Sequence, residues 1–143
     1  MTPEEIAREA SARRGWPVEK ALRIVNALLG TGNWGPLDLF LGFRAGFKCE
    51  YCDLDLLSTV DAYKLWEKDH IERGTGDDPD NLALACLVCN SKLKNRWTLP
   101  AGPVERHSRL KVVRDHLGTE RERVEAQITS YRRLLEVEPT AGC

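Results

Sequence analysis

The chain has 143 residues, 42 % of them hydrophobic and 30 % charged, with a formal net charge of −1. This is an ordinary globular composition, suited to one domain or to a small domain with a helical extension, and no apolar run approaches the roughly 20 residues of a bilayer span. The opening stretch from Met1 to Pro17 lacks the apolar run of a secretory signal, so a cytosolic protein with no membrane partner is expected, where paired cysteines more often hold a metal or do redox chemistry than form disulfides.

Residues 2–30 read as helical. Thr2, Pro3 and Glu5 form an N-terminal capping-box pattern. The step Gly15-Trp16-Pro17 should break this helix. A second is expected from about Val18 to Leu29, with Ala21, Leu22, Val25, Leu28 and Leu29 on one face and Gly30 as its stop. The following "TGNWGPLDLFLGFRAGF" reads as a turn and a short apolar segment. Residues 48–97 then suggest strand, loop, strand and helix: a strand ending in Asp69-His70-Ile71, a polar loop, the run "NLALAC", and a short helix from about Leu87 to Trp97. After the breaker-rich "TLPAGP", Leu110, Val113, Leu117, Val124, Ile128, Tyr131 and Leu135 recur at helical steps to about Val137. Gly118-Thr119 should divide that helix, because Thr119 and Glu122 repeat the capping-box pattern.

The small net charge conceals a polarised chain. From Glu50 to Asp80 there are ten acidic residues against three basic ones, whereas from Ser91 to Arg114 seven basic residues oppose Glu105 alone. Charge runs alone usually mark solvated faces. Trp16, Trp34, Trp66 and Trp97 are expected to pack in cores rather than stack on bases.

Cys49 and Cys52 form one Cys-x-x-Cys, and Cys86 and Cys89 a second. Two matched pairs can bring four thiolates to one tetrahedral Zn²⁺ and leave no open position, which makes such a zinc structural. A redox pair needs only one Cys-x-x-Cys, usually at a helix start in a βαβ unit, and buried thiols need no pairing at all. A clamp of this kind would gather Asp69, His70, Asn81 and Asn90. A carboxylate, an amide oxygen and water suit a hard cation such as Mg²⁺ or Mn²⁺. An imidazole, with its ordinary pKa near ~6.5, suits taking a proton from water. A cation and a base together are what phosphodiester hydrolysis requires.

The ordered set "KCEYC", "DLLSTVDAYKLWEKDHI" and "DDPDNLALACLVCN" resembles the HNH nucleases in their four-cysteine, zinc-bearing form, over roughly residues 47–97. The resemblance implies an α+β, mainly helical chain with a small ββα-metal core: an N-terminal helical segment 1–47, a nuclease core 48–97, and a C-terminal helical extension 98–143. It implies a metal-dependent endonuclease that hydrolyses DNA, leaving 5′-phosphate and 3′-hydroxyl ends. His70 would be the general base. Asp69 and Asn90 would hold a catalytic Mg²⁺ or Mn²⁺, Asn90 standing where other members carry histidine. Asn81 would hold the loop that aims His70, and Cys49, Cys52, Cys86 and Cys89 would hold a structural zinc. Leu93 replaces the family's usual lysine, so Lys94, with Lys92 and Arg96, is expected to contact DNA phosphates, and Asp77, Asp78 and Asp80 must then point away from them. A different reading is a zinc-stabilised module that binds nucleic acid or protein without cleaving it. A third makes the nuclease one subunit of a phage-packaging, restriction or defence assembly, docking through its helical ends to a protein partner or second subunit.

Overall fold

The computed structural model describes residues 1–74 and 76–137. Helix α1 (Pro3–Arg14) starts at the expected capping box: Glu5 N–H donates to Thr2 Oγ1 at 3.2 Å and Thr2 N–H to Glu5 Oε2 at 2.7 Å. It ends at Gly15, whose φ of 66° permits the left-handed cap. Helix α2 (Val18–Gly30) follows directly and takes in Gly30, its expected stop, as its last residue. The segment expected to be a turn and an apolar stretch is instead helix α3 (Pro36–Ala45), with Pro36 in its first turn and Gly46 as its left-handed cap. Ile6, Ala7 and Ala10 of α1, Ala21 and Val25 of α2, and Leu39 and Phe43 of α3 pack with Trp34 and Phe47 into one apolar cluster. Small residues on α1 and α2 let these helices approach closely. Gly42 serves the same end, because a Cβ there would meet Phe47 Cε1 at 2.5 Å.

Beyond α3 the chain turns through a knuckle around Cys49 and Cys52. Cys49 N–H donates to Leu54 O, and Asp53 N–H to Cys49 O, both at 2.9 Å. Asp53 takes a φ of 65° to complete the turn. A short helix α4 (Val60–Lys64), capped by Thr59, then leads into strand β1 (Glu67–His70). Strand β1 pairs antiparallel with β2 (Leu82–Ala85), Asp69 facing Ala83 and His70 facing Leu82. Alternation sends Glu67 and Asp69 of β1 toward the segment Val88–Lys94, while Lys68 points the other way to an ion pair with Asp38 of α3 at 2.7 Å. Every residue of β2 is buried. Its outer edge is closed by Glu50, whose N–H donates to Leu84 O and whose Oε2 accepts from Leu84 N–H, both at 2.8 Å. Trp66 joins the two halves, stacked on Trp34 with ring centroids 5.0 Å apart.

Val88–Lys94 is wound as a π-helix rather than an α-helix, Asn95 N–H returning to Asn90 O at 2.9 Å. Helix α5 (Arg106–Val137) is a single rod of 32 residues. The expected break at Gly118-Thr119 does not occur. Thr119 Oγ1 donates to Asp115 O at 3.2 Å, one turn back, instead of capping a new helix. Val113 and Leu117 are buried against the core beside the cysteine knuckle and Leu110 packs beside them, but farther along Ile128, Tyr131, Leu134 and Leu135 are exposed, so the apolar stripe is covered only in its first half. The acidic and basic runs do not form two solvated faces. They interlock: Arg106 meets Glu50 at 2.7 Å, Arg109 meets Glu72 at 3.6 Å, and Arg114 meets Asp53 at 2.8 Å. No helix among the described residues is long and apolar enough to cross a membrane.

Candidate active site and metal centre

The knuckle presents Cys49 and Cys52; the end of β2 presents Cys86, and the start of the π-helical segment presents Cys89. Their four sulfur atoms lie within 4.8 Å of one another. A tetrahedral zinc with Zn–S near ~2.3 Å needs S···S edges of ~3.8 Å, and Cys52 Sγ and Cys86 Sγ are 3.8 Å apart. Hydrogen bonding within the cluster pulls Cys86 strongly down and Cys52 down to about 7, while it pushes Cys49 and Cys89 up. Without a cation the four sulfurs cannot all ionise at this spacing; a bound cation would let all four serve as thiolates. Arg121 of α5 adds a fifth contact, Nη2 standing 3.2 Å from Cys89 Sγ. The soft, all-sulfur donor set fits zinc and leaves no open ligand position.

On the helix-facing side of β1, Asp69 is 8 % exposed. Its Oδ2 accepts two short hydrogen bonds, from Tyr51 Oη at 2.5 Å and Lys94 Nζ at 2.6 Å. Lys94 Nζ also donates to His70 O at 2.7 Å. Burial first, and the Asp69 charge second, push the Tyr51 hydroxyl far above its ordinary pKa, so it remains a neutral donor. Asn90 Nδ2 donates to Glu67 Oε2 at 2.5 Å, and Ser91 Oγ donates to the same oxygen at 2.9 Å. Asp69 and Asn90 thus lie over the same strand but do not offer a divalent site as they stand. An ammonium already holds Asp69 Oδ2 and matches the carboxylate charge, and Asn90 Nδ2 is turned to Glu67. Lys94, expected among the DNA-contacting residues, is corrected to a core residue. It is 2 % exposed and paired with Asp69, because a position one turn after Asn90 faces β1, not solvent. Lys92 and Arg96 are exposed, as a DNA contact needs.

His70 ends β1 with its ring partly open to solvent, and its Nε2 lies 2.8 Å from Asp77 Oδ1. The loop between β1 and β2 is closed at its base by Asn81. Asn81 Nδ2 donates to Glu72 O at 2.8 Å, Oδ1 accepts from Glu72 N–H at 2.9 Å, and Asn81 O accepts from Ile71 N–H at 2.8 Å. Arg109 of α5 reaches the same corner, donating to Asp80 O at 3.0 Å and Asn81 Oδ1 at 3.3 Å. Of the three acidic loop residues, Asp77 faces His70, whereas the Asp78 carboxylate caps the 3₁₀ turn Pro79–Asn81 by accepting from Asp80 N–H. Asn81→Ala removes both side-chain bonds to Glu72 and should destabilise the loop by about 1–3 kcal/mol. Faster amide hydrogen exchange at Glu72 is the expected result, and unchanged protection there would contradict it.

Sequence reasoning missed Tyr51, Glu67 and Arg109. Glu67 carried a readable signal, since it stands two residues before Asp69 on a strand and so shares its face. Tyr51 lies inside the first Cys-x-x-Cys and Arg109 on a remote helix, and neither position reveals its partner without the fold.

Residues 49–96 match the family model described as HNH endonuclease. No curated protein and no solved structure matches the chain. The matched segment runs from the first knuckle cysteine, through β1, the loop and β2, to the end of the π-helical segment, so it contains both cysteine pairs and the whole Asp69, His70, Asn81 and Asn90 constellation. This segment, residues 49–96, is therefore similar to the HNH endonuclease domain, and its four cysteines are placed to bind one metal ion.

Proposed function

We propose that the protein is an endonuclease that hydrolyses DNA phosphodiester bonds, with His70 as the general base and the four-cysteine zinc as a structural clamp. The observation that carries this reading is the setting of His70. It lies at the open end of β1, oriented by Asp77 at 2.8 Å and backed by a loop that Asn81 closes. With Nε2–H donating to Asp77, the lone pair lies on Nδ1, and a carboxylate partner holds the imidazole in that tautomer. Nδ1 takes a proton from water as the water oxygen bonds to phosphorus. The P–O3′ bond breaks, giving a 5′-phosphate and, once the leaving oxygen is protonated, a 3′-hydroxyl. A divalent ion bound here would stabilise charge on that leaving oxygen, but Asp69 and Asn90 in their present arrangement do not fit one, and no step is assigned to it.

Lys92 and Arg96 supply phosphate contacts, which position DNA without reading its sequence. Lys92→Ala and Arg96→Ala should each weaken binding and lower the slope of log K against log salt by roughly one. A fluorescence-anisotropy titration across salt concentrations checks this, and an unchanged slope in both variants would remove these residues from the interface. The buried Asp69–Lys94 pair favours a second reading, a zinc-stabilised module that binds nucleic acid without cutting it. Nicking of supercoiled plasmid by zinc-loaded protein, with Mg²⁺, with Mn²⁺ and with neither, separates the two: cleavage supports the endonuclease, and binding without cleavage supports the module.

A further inference from the structure

We infer that the Lys94 ammonium is the resident cation of this site, filling the place on Asp69 that a divalent ion would take, so that Mg²⁺ or Mn²⁺ binds at Asp69 and Asn90 only when Lys94 is removed. The inference rests on the proposed reading in one respect: it takes Asp69 and Asn90 as the pair that would otherwise hold the cation.

The Lys94 side chain is 1 % exposed and that of Asp69 11 %. An ammonium so buried is stable only when paired and hydrogen-bonded. Lys94 Nζ spends two of its three hydrogens inside the site, on Asp69 Oδ2 at 2.6 Å and on His70 O at 2.7 Å. Tyr51 places a neutral hydroxyl on the same carboxylate oxygen. The single negative charge of Asp69 is therefore matched one to one by Lys94. A divalent ion on Asp69 would sit beside the buried Lys94 ammonium, whose like charge opposes it. Glu67, the other carboxylate on this strand face, is already engaged by Asn90 Nδ2 and Ser91 Oγ. Lys94 and Asn90 sit one turn apart on the same π-helical segment, so the residue that would help bind the metal and the residue that replaces it are delivered to β1 together.

The test uses the zinc-loaded full chain, isotopically labelled, with Mn²⁺ as probe. In the wild type, added Mn²⁺ should not selectively broaden the amide resonances of Asp69, His70, Asn90 and Ser91. In Lys94→Met, electron paramagnetic resonance titration should reveal a new Mn²⁺ site, roughly 10–100-fold tighter than any in the wild type. That site should vanish in the double variant Lys94→Met/Asp69→Asn. Selective broadening around Asp69 in the wild type would overturn the inference, as would equal Mn²⁺ affinity in wild type and Lys94→Met, or a gained site that persists without the Asp69 carboxylate. Should Lys94→Met fail to fold, the wild-type spectrum decides alone: broadening contradicts the inference and its absence supports it. None of these measurements involves DNA, so a wild type that fails to cut DNA would count against the proposed reaction and not against the role of Lys94.

Discussion

Replacing Cys86 with serine, or stripping the metal with a chelator, is expected to unfold the region from the knuckle to the end of the π-helical segment. The sheet there consists of two four-residue strands, too little to be independently stable in water. Cys86 follows β2 directly, Cys89 lies in the first turn of the π-helical segment and Cys49 and Cys52 form the knuckle, so a single ion there would join three pieces of chain that share a small apolar core. Structural zinc sites contribute about 10–16 kcal/mol of apparent binding free energy, comparable to or larger than the ~5–15 kcal/mol net stability of a whole domain. Helices α1 to α3 have their own cluster, built around Ile6, Val25, Leu39, Phe43 and Trp34, so part of the helical circular dichroism should survive while near-ultraviolet signals from Tyr51 and Trp97 are lost. Elemental analysis of protein purified without chelator should give one zinc per chain. Because the ligands must be thiolates, zinc should be released as pH falls, not as it rises. A Cys86→Ser variant with intact near-ultraviolet signals and no metal would contradict this account of the cluster.

Features set by neighbours in sequence were legible before the fold was known. The Thr2–Glu5 capping box, the Gly15 stop and the two Cys-x-x-Cys pairs depend on spacings of a few residues, and the structure has each of them. Helix α3 was hidden because "LDLFLGF" is apolar at nearly every position, and such a run has neither the period of a strand nor that of a helix. The break expected at Gly118-Thr119 failed for a different reason. Val113 and Leu117 are anchored on the core, and the arginines of the same helix are fastened to Glu50, Glu72 and Asp53, so tertiary contacts carry the helix through a local stop signal. Lys94 shows the limit most clearly. A basic residue beside a nuclease motif suggests a phosphate contact, and only the facing of β1 against the π-helical segment reveals that its ammonium ends on Asp69 instead.

His70→Ala is expected to abolish most cleavage while leaving the fold and DNA affinity in place. The ring is partly exposed and its side-chain contact is with Asp77, itself 80 % exposed, so its loss opens no core cavity. Zinc content and thermal unfolding should match the wild type. In the proposed reading affinity rests on phosphate contacts made elsewhere, so it too should be retained. What is lost is proton removal from the attacking water, typically worth about 10²–10⁴-fold in rate. Asp77→Asn should give a smaller loss than His70→Ala, since it removes the orienting carboxylate and keeps the base. The most direct measurement is the nicking rate of supercoiled plasmid by zinc-loaded wild type against zinc-loaded His70→Ala, both purified free of contaminating nuclease and at matched DNA occupancy. A fall of about 10²–10⁴-fold with unchanged binding is the result this account predicts. Equal rates for the two proteins, or no cleavage by the wild type under any metal condition, would contradict it.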